Sequence, residues 1–266
     1  MRDFVTDHWW LLAFWSGVVL FGAIEFLVPA YGNPERNRRW PTNVGLSIIN
    51  GLILASVPVT AVGAAQWAAD HGVGLLAWTG APWWVAVACT AIVGSLAHYV
   101  THRIFHKMPL LWRLHRVHHC DRHLDVTTAL RGHPVEMFLI SAFVSPAIVL
   151  FGLPPVMIAF YEGVEIFANM FTHADIRFPA SVERVMSALL LVTPAVHRLH
   201  HSTFQPETDS NYGNVFLVWD RLFGTYHRDP IRPNVPLRIG LDEVDPECAG
   251  DLGWQLKLPF VDGKAR

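Results

Sequence analysis

Three long apolar segments constrain the fold of this chain more than any other feature of its sequence. They comprise residues 9–29, 44–69 and 83 to about 97. About 20 apolar residues let a helix cross a bilayer, and a chain inside lipid must satisfy its own backbone hydrogen bonds. The segments therefore predict three membrane-spanning helices. Because the first apolar run is too long for a cleaved signal peptide, it is expected to remain as a span.

A fourth apolar region, residues 138–171, is divided by a turn sequence. Gly152-Leu-Pro-Pro155 interrupts it, which predicts a helical hairpin that enters and leaves on one side of the membrane. Residues 185–192 are too few to span and fit an interfacial or buried helix, whereas residues 215–223 fit a helix packed across a neighbouring site. The expected fold class is all-α: an integral membrane bundle of three spans plus a hairpin, with a cytosolic histidine-rich cap.

The distribution of charged residues predicts the orientation of this bundle. Arg36, Arg38 and Arg39 lie in the loop after the first span, whereas the loop around Asp70 and Gly72 has no Lys or Arg. By the positive-inside rule the arginine-rich loop is cytoplasmic, the N-terminus is outside, and the histidine-rich segments are cytoplasmic. The chain then divides into a membrane anchor (1–97), a histidine-rich region that includes the hairpin (98–228) and an irregular C-terminal tail (229–266).

The composition fits a membrane protein and excludes several classes of function. Apolar residues make up 52% of the chain, charged residues 16%, and the mean hydropathy is +0.30. The net charge of −2 provides no basic surface for nucleic acid. The three cysteines, Cys89, Cys120 and Cys248, are far apart, which excludes a Cys-x-x-Cys metal site and a disulfide framework. Any metal must therefore be held mainly by histidine.

Histidines are concentrated in two parts of the sequence. Six of the 22 residues from His98 to His119 are histidine, and they end in a His-x-x-His-His triplet that recurs at His197, His200 and His201. With 15 histidines in 266 residues, two such triplets are expected by chance about 0.001 times. Spacings of three and four residues place side chains on one face of a helix. The pattern therefore predicts imidazoles that converge on metal.

The number of convergent histidines indicates how many ions they serve. Nine ligands are predicted: His102, His106, His115, His118, His119, His173, His197, His200 and His201. His173 is included because it lies one helical turn after Asn169 at the end of the hairpin. Even without His173, eight imidazoles are too many for one tetrahedral zinc ion and enough for two metal ions. Imidazole alone does not distinguish zinc, copper, iron and nickel.

Other polar residues are expected beside these ligands. His98 is either a ligand or a neighbour of one, and His133 orients a ligand, reaches a metal or caps the following helix. Asn169 could hold water at the metal. Four carboxylates could accept hydrogen bonds from imidazole N–H groups: Glu136, Glu162, Glu165 and Asp220. Because none of them forms a Glu-x-x-His pair, a ferritin-like carboxylate site is not expected.

Six motifs between residues 96 and 226 form a recognisable set. They are His102-Arg-Ile-Phe-His106, Leu111-Trp-Arg-Leu-His115-Arg-Val-His118-His119, Arg131-Gly-His133-Pro-Val-Glu136, Thr193-Pro-Ala-Val-His197-Arg-Leu-His200-His201-Ser202, Asn211-Tyr-Gly213 and Trp219-Asp-Arg-Leu-Phe-Gly-Thr225. Together they resemble the fatty acid hydroxylase and sterol desaturase superfamily of integral-membrane diiron enzymes. Two positions differ from the family pattern: Ser95, where an acidic residue is common, and Cys120, where serine is common.

The resemblance implies an activity and its cofactors. It implies a membrane anchor under a cytosolic catalytic cap, two iron ions held by the histidines, and O2 as the co-substrate for hydroxylation or desaturation of a membrane lipid. The chain has no Gly-x-Gly-x-x-Gly fingerprint, no cytochrome-like segment and no iron–sulfur cysteine set. Electrons are therefore expected from an external ferredoxin- or cytochrome-type donor with its reductase.

Alternative functions are a zinc-dependent membrane hydrolase, a haem-carrying electron carrier and a metal-binding membrane protein without catalysis. The histidines cluster beyond the span ends, which argues against haem held between facing spans. The identity of the lipid, its regiochemistry and the oligomeric state are not indicated by the sequence. Four aromatic residues of the hairpin could line an access route from the bilayer or could face lipid: Phe160, Tyr161, Phe167 and Phe171.

Overall fold

The protein is a bundle of α-helices. The computed structural model describes residues 9–56 and 60–261, and within them there is no strand, only two isolated β-bridges, Leu191 with Phe216 and Ser202 with Ile239. The helices of the N-terminal half are α1 (Trp9–Leu27), α2 (Arg36–Ser56), α3 (Ala61–Asp70), α4 (Leu75–Thr79), α5 (Trp83–Lys107) and α6 (Pro109–His119). The predicted all-α class is confirmed.

The C-terminal half contains the hairpin and a series of short helices. They are α7 (Pro134–Phe151), α8 (Pro155–His173), α9 (Ala180–Ala188), α10 (Pro194–His200), α11 (Gln205–Thr208), α12 (Val218–Leu222), α13 (Pro246–Ala249) and α14 (Leu252–Lys257), with 3-10 turns at Thr128–Leu130 and Leu258–Phe260. The predicted hairpin is α7 and α8. Its turn begins at Gly152, which ends α7 in the left-handed conformation with φ 64°.

Three helical segments of the described chain are long and apolar enough to cross a membrane. They are the stretch Arg36–Thr79, which contains α2 to α4, and the helices α5 and α7. Helix α1 occupies the predicted first segment, and its part Phe14–Leu27 is apolar. Large apolar side chains face outward in these helices; Trp83 of α5 and Phe26 of α1, for example, are each 72% exposed. The architecture is therefore the membrane bundle that the sequence predicts.

The helices extend beyond the predicted second and third spans. Helix α2 begins at Arg36, inside the predicted charged loop, and α3 forms a separate helix; Pro58 lies outside the described residues. The arginine-rich turn is helical because Arg39 is buried against Asp121 and Asp125 instead of facing water. Helix α5 continues to Lys107, well past the predicted end of the third span, so that His98, His102 and His106 share one continuous helix.

The C-terminal segment is more ordered than an irregular tail. Helix α14 and the turn after it pack on α2 and α6 through a buried apolar cluster that contains Leu46, Val117 and Leu258. Arg116 of α6 donates to the carbonyls of Leu258 and Val261 at 2.5 and 2.7 Å. Pro246 and Pro259 stand at the first turns of α13 and the 3-10 turn, where a missing N–H costs nothing.

Candidate metal centre

All nine histidines predicted as ligands lie together, in two groups. The first histidine group contains His102, His106, His115, His119 and His200. The second histidine group contains His118, His173, His197 and His201. Within each group the ring nitrogens lie within 4.8 Å of one another. The two groups adjoin, since the rings of His119 and His201 stack with their centroids 4.4 Å apart.

The short helices α6 and α10 explain how each triplet serves both groups. In α6 the residues one turn apart, His115 and His119, point into the first group, and His118 between them points into the second. The second triplet is divided in the opposite way: His197 and His201 belong to the second group, and His200 to the first. Each His-x-x-His-His motif therefore interleaves the two groups.

The Nε2 atoms converge within each group. In the first group, His102 Nε2 lies 3.0 Å from His115 Nε2 and 3.1 Å from His200 Nε2. In the second group, His173 Nε2 lies 3.1 Å from the Nε2 atoms of His118, His197 and His201. His173, at the last turn of the membrane hairpin, is thus the centre of the second group.

The opposite ring nitrogens fix the orientation of five imidazoles. The Nδ1 atom of each faces an oxygen: His102 with Tyr212 O at 2.8 Å, His115 with Glu136 Oε1 at 2.5 Å, His118 with Arg131 O at 2.9 Å, His173 with Asn169 O at 2.8 Å, and His200 with Ser210 O at 2.7 Å. A carbonyl or carboxylate oxygen only accepts, so Nδ1 carries the hydrogen and donates it. Each Nε2 then keeps a bare lone pair.

Bare lone pairs that face each other at about 3 Å require a cation between them. His118 and His173 both donate through Nδ1, and neither can donate through Nε2 to the other. Ligands at right angles about 2.1 Å from a metal ion are separated by about 3.0 Å. The Nε2 separations of 3.0 to 3.3 Å in both groups match that spacing. The residues present therefore fit bound metal ions.

Burial keeps these imidazoles neutral, as metal ligands must be. Desolvation, followed by the neighbouring imidazoles, holds the pKa of His118, His119, His197 and His201 well below the ordinary value of 6.5. Desolvation also lowers the pKa of His200 to about 3. At neutral pH the five side chains are unprotonated and free to bind a cation through nitrogen.

The residues predicted to lie beside the ligands have different roles. Glu136 accepts a hydrogen bond from His115, which is one of the predicted ligands. Asn169 orients His173 through its backbone carbonyl, while its side chain donates to Ala129 O at 3.2 Å. His133 is outside both groups and caps α7 by accepting from the N–H of Val135.

For Asp220 the prediction of an imidazole acceptor is wrong. Its carboxylate accepts from the N–H groups of Tyr212 and Gly213, both at 2.8 Å, and from the Thr225 hydroxyl at 2.8 Å. These bonds close the loop whose Tyr212 carbonyl holds His102. Asp220 therefore acts on a ligand through the backbone, which a motif in sequence does not reveal.

The sequence reasoning also missed a buried ion-pair network beside the site. Arg39 binds Asp121 and Asp125, and Arg131 donates to the carbonyl of Val117 at 2.7 Å and to Asn43 Oδ1 at 2.7 Å. The sequence position of Asp121 could have indicated this network. Asp121 follows the first triplet by two residues, and charged residues of an apolar chain need partners. The network fixes the segment that connects His119 to the Arg131 carbonyl.

The two departures from the family pattern have local partners. Ser95 accepts a hydrogen bond from Trp219 Nε1 at 3.0 Å and donates to Ala91 O at 2.6 Å, and it belongs to neither histidine group. The Cys120 thiol is buried and lies 3.0 Å from an Arg131 nitrogen and 3.2 Å from Gln255 Oε1. Neither residue takes the place of a predicted ligand.

A cavity of about 150 Å³ opens beside both histidine groups. Its wall includes His102 and His115 of the first group and His118, His173 and His197 of the second. The remaining wall is largely apolar, with Phe105, Leu130, Met137 and Ile140. The four hairpin aromatics at positions 160, 161, 167 and 171 are not part of this wall, and Phe160 and Phe167 are exposed on the outside of the bundle. The arrangement can hold an apolar chain against two metal sites.

Several known proteins are similar to this chain in sequence. The chain is 31% identical over 151 residues to an alkylglycerol monooxygenase of Danio rerio, 30% over 143 residues to the ornithine lipid hydroxylase OlsE of Rhizobium tropici, and 28% over 132 residues to the cholesterol 25-hydroxylase of Homo sapiens. These matches cover 56%, 54% and 49% of this chain and 31%, 42% and 47% of the relatives. The matched part of the chain thus spans less than half of the length of each relative.

No solved structure shows a significant match to the chain. The sequence model of the fatty acid hydroxylase family matches residues 87–225, just over half of the 266 residues. That region contains most of α5, all of α6 to α12 and all nine convergent histidines. The resemblance of the histidine motifs is confirmed, and the chain belongs to the fatty acid hydroxylase family.

Proposed function

We propose that this chain is a membrane-bound, non-haem diiron oxygenase that hydroxylates or desaturates a lipid C–H bond with O2 and external electrons. The observation that carries the proposal is the pair of histidine groups, with converging Nε2 atoms, in the wall of an apolar cavity. An imidazole set of this size fits two iron ions, one in each group. The nine histidines are the proposed ligands.

In this proposal the protein positions ligands, excludes water and holds the lipid. Bound iron would supply the activation of O2 and the removal of hydrogen from an unactivated C–H bond. Glu136 and the carbonyls of Tyr212, Ser210, Arg131 and Asn169 hold five imidazoles in one tautomer, with Nε2 directed at the metal. Phe105, Leu130 and Ile140 keep the cavity apolar, which favours an alkyl chain over water.

The relatives support a lipid as the substrate. An alkylglycerol monooxygenase, an ornithine lipid hydroxylase and a cholesterol 25-hydroxylase are, by name, enzymes that oxidise lipids. The candidate spans α5 and α7 both contribute to the cavity wall, so a lipid in the bilayer lies next to the site. The catalytic region is proposed to comprise residues 98–228, with an anchor at 1–97 and a C-terminal tail at 229–266, whose residues 252–261 pack on α2 and α6.

The orientation and the electron donor complete the proposal. The histidine groups face the cytoplasm and the N-terminus faces outside, as Arg36 and Arg38 favour. Arg39 contributes less to this argument than the sequence suggested, because it is paired inside the protein. A cytoplasmic ferredoxin- or cytochrome-type protein with its reductase supplies the electrons.

Metal analysis combined with lipid analysis tests this function. Chain purified from membranes is expected to contain two irons, and cells that express it are expected to contain a hydroxylated or desaturated lipid that is absent with His118→Ala or without O2. About one zinc per chain, with turnover that does not need O2, would instead establish a zinc hydrolase. Two bound metals with no lipid product under any donor system would leave a metal-binding protein without catalysis.

A further inference from the structure

The apolar helix α1 carries one carboxylate, Glu25, and this side chain is 0% exposed. Its Oε1 atom accepts from the N–H of Val126 at 2.7 Å and from the N–H of Asp175 at 2.9 Å. Both donors are backbone N–H groups, so the bonds do not depend on a protonation state. Glu165 of α8, by contrast, is 20% exposed and lies 3.5 Å from His98 Nδ1, and neither residue belongs to a histidine group. A fully buried carboxylate in an apolar helix is costly and usually has a function.

Every polar group of Asp175 is bound by α1 or by the loop after it. Its N–H donates to Glu25, and its carbonyl accepts from Ala30 N at 3.1 Å. Its two carboxylate oxygens accept from Tyr31 N at 3.1 Å and from Gly32 N at 3.0 Å. We call these four bonds the Asp175 clasp. The clasp ties the segment after α8 to the N-terminal helix of the bundle.

The Asp175 clasp lies two residues after His173, the central ligand of the second histidine group. His173 ends α8 and donates from Nδ1 to the Asn169 carbonyl of the same helix, so its ring moves with the last turn of α8. The Asn169 side chain donates to the carbonyl of Ala129, three residues after the Val126 that Glu25 also binds. Glu25 therefore holds both segments that fix the last turn of α8.

Apolar packing brings α1 against the same part of α8. The rings of Phe21 and Phe167 pack with their centroids 5.1 Å apart. At Gly17 the two helices approach so closely that a Cβ atom would lie 2.9 Å from Met170 Sδ. The carboxylate of α1 is thus carried by a helix that is itself packed against α8.

We propose that Glu25 is a positioning residue of the metal centre, which holds His173 at the second ion through the Asp175 clasp. The proposal rests on the ligands of the proposed function and not on the reaction that they support. Glu25 lies outside residues 87–225, which the fatty acid hydroxylase model matches. The first helix therefore does more than anchor the chain, because it sets the metal affinity of the second group.

Three variants of α1 test this role by competition with a chelator for ferrous iron. In Glu25→Leu two N–H groups lose their acceptor; the affinity of the second group should fall about 10- to 100-fold, and that of the first group should stay within about threefold. Glu25→Gln keeps an oxygen that can accept both bonds and should stay within about threefold of the wild type in both groups. Ser16→Leu, exposed on the same helix, is the control for added apolar surface and should match the wild type.

The outcomes separate this role from the proposed function. An unchanged second group in Glu25→Leu would overturn the positioning role, as would equal losses from both groups, which indicate a general loss of structure. A loss in Glu25→Gln as large as that in Glu25→Leu would also overturn it. A wild-type protein that binds no ion in the second group would instead overturn the proposed function.

A double variant tests whether Glu25 acts through His173. Two changes that share one effect are not additive. Adding Glu25→Leu to His173→Ala should therefore leave the affinity of the remaining ion unchanged. A further loss of that ion in the double variant would overturn the proposal.

Hydrogen exchange tests the wild type without relying on any variant. Coupling between two sites is reciprocal, so an ion that depends on the Asp175 clasp must also stabilise it. We expect the amides of residues 30–32 to exchange at least about tenfold more slowly in the iron-loaded protein than in the apoprotein. Residues 71–74, in the turn between α3 and α4, are the control and should not change. Equal exchange of residues 30–32 in the two forms would overturn the proposal.

Discussion

The two histidine groups hold their ligands by different means. In the first group a side chain takes part, because Glu136 accepts from His115, and the loop that supplies the Tyr212 carbonyl depends on Asp220. In the second group, His118 and His173 donate to the backbone carbonyls of Arg131 and Asn169. A side-chain acceptor can be changed by a single mutation, whereas a backbone acceptor moves only with the segment that carries it. Metal binding by the first group should therefore be easier to alter by one substitution, and metal binding by the second group should depend more on the fold.

Removing the central ligand of the second group is expected to have the largest effect. His173→Ala deletes the one Nε2 that lies beside those of His118, His197 and His201, so one ion per chain and more than about 100-fold of activity should be lost. Metal analysis and turnover of the purified protein measure this. His71→Ala, an exposed histidine stacked on Trp67, is the control. Retention of both metals in His173→Ala would show that the second group does not depend on His173 as its central ligand.

Changing the carboxylate of the first group is expected to have the next largest effect. Glu136→Gln keeps the size of the side chain but weakens the acceptor for His115 Nδ1, which should lower metal affinity of the first group about 10- to 100-fold. The second group should lose less of its metal at the same chelator concentration. Competition with a chelator measures both affinities. Equal losses from the two groups would contradict their separate support.

Substitution of Asp220, which holds the loop of Tyr212 and Gly213 behind His102, is expected to have a smaller effect than substitution of Glu136. Asp220→Asn leaves one oxygen to accept where the carboxylate has two that hold the N–H groups of Tyr212 and Gly213, at a cost of about 1 to 3 kcal/mol in the free energy of unfolding. Thermal unfolding with and without metal measures it. Asp242→Asn, in an exposed pair with Arg238, serves as control and should be neutral. An Asp220→Asn protein as stable as the wild type would show that the loop holds His102 without the carboxylate.

The smallest effect is expected at Cys120. Cys120→Ser keeps a donor for the Val117 carbonyl and Gln255, so stability should change by less than about 1 kcal/mol, and the Arg131 carbonyl should still hold His118. Thermal unfolding and iron content measure this outcome. Loss of metal from the second group in this variant would show that the group is sensitive to a side chain after all.

Sequence periodicity predicted which histidines converge but not how they divide into two groups. The spacings of three and four residues predict that His115, His118 and His119 converge on metal, and the structure places them together. Which of the two groups each ring enters depends on how α6 and α10 cross, and that is set by packing between distant segments. The role of Glu136 could be predicted from its motif, whereas no sequence pattern indicates the carbonyls of Tyr212 and Ser210.

The fold, too, could be predicted from the sequence only where local patterns determine it. The hairpin at Gly152 follows from local turn chemistry, and the apolar runs predict the membrane helices. The start of α2 at Arg36 could not be read locally, because Arg39 is helical and buried only through its partners Asp121 and Asp125 on a segment far along the chain. The packing of residues 246–260 on α6 likewise depends on long-range apolar contacts with Leu46 and Val117.

The interleaving of the two triplets has a consequence for how the apoprotein acquires its ions. Helices α6 and α10 each contribute to both groups, so an ion that orders one group also fixes the rings that the second ion needs. The second binding event then pays less of the ordering entropy than the first. Titration of apoprotein with ferrous iron should show that the second equivalent binds more tightly than the first.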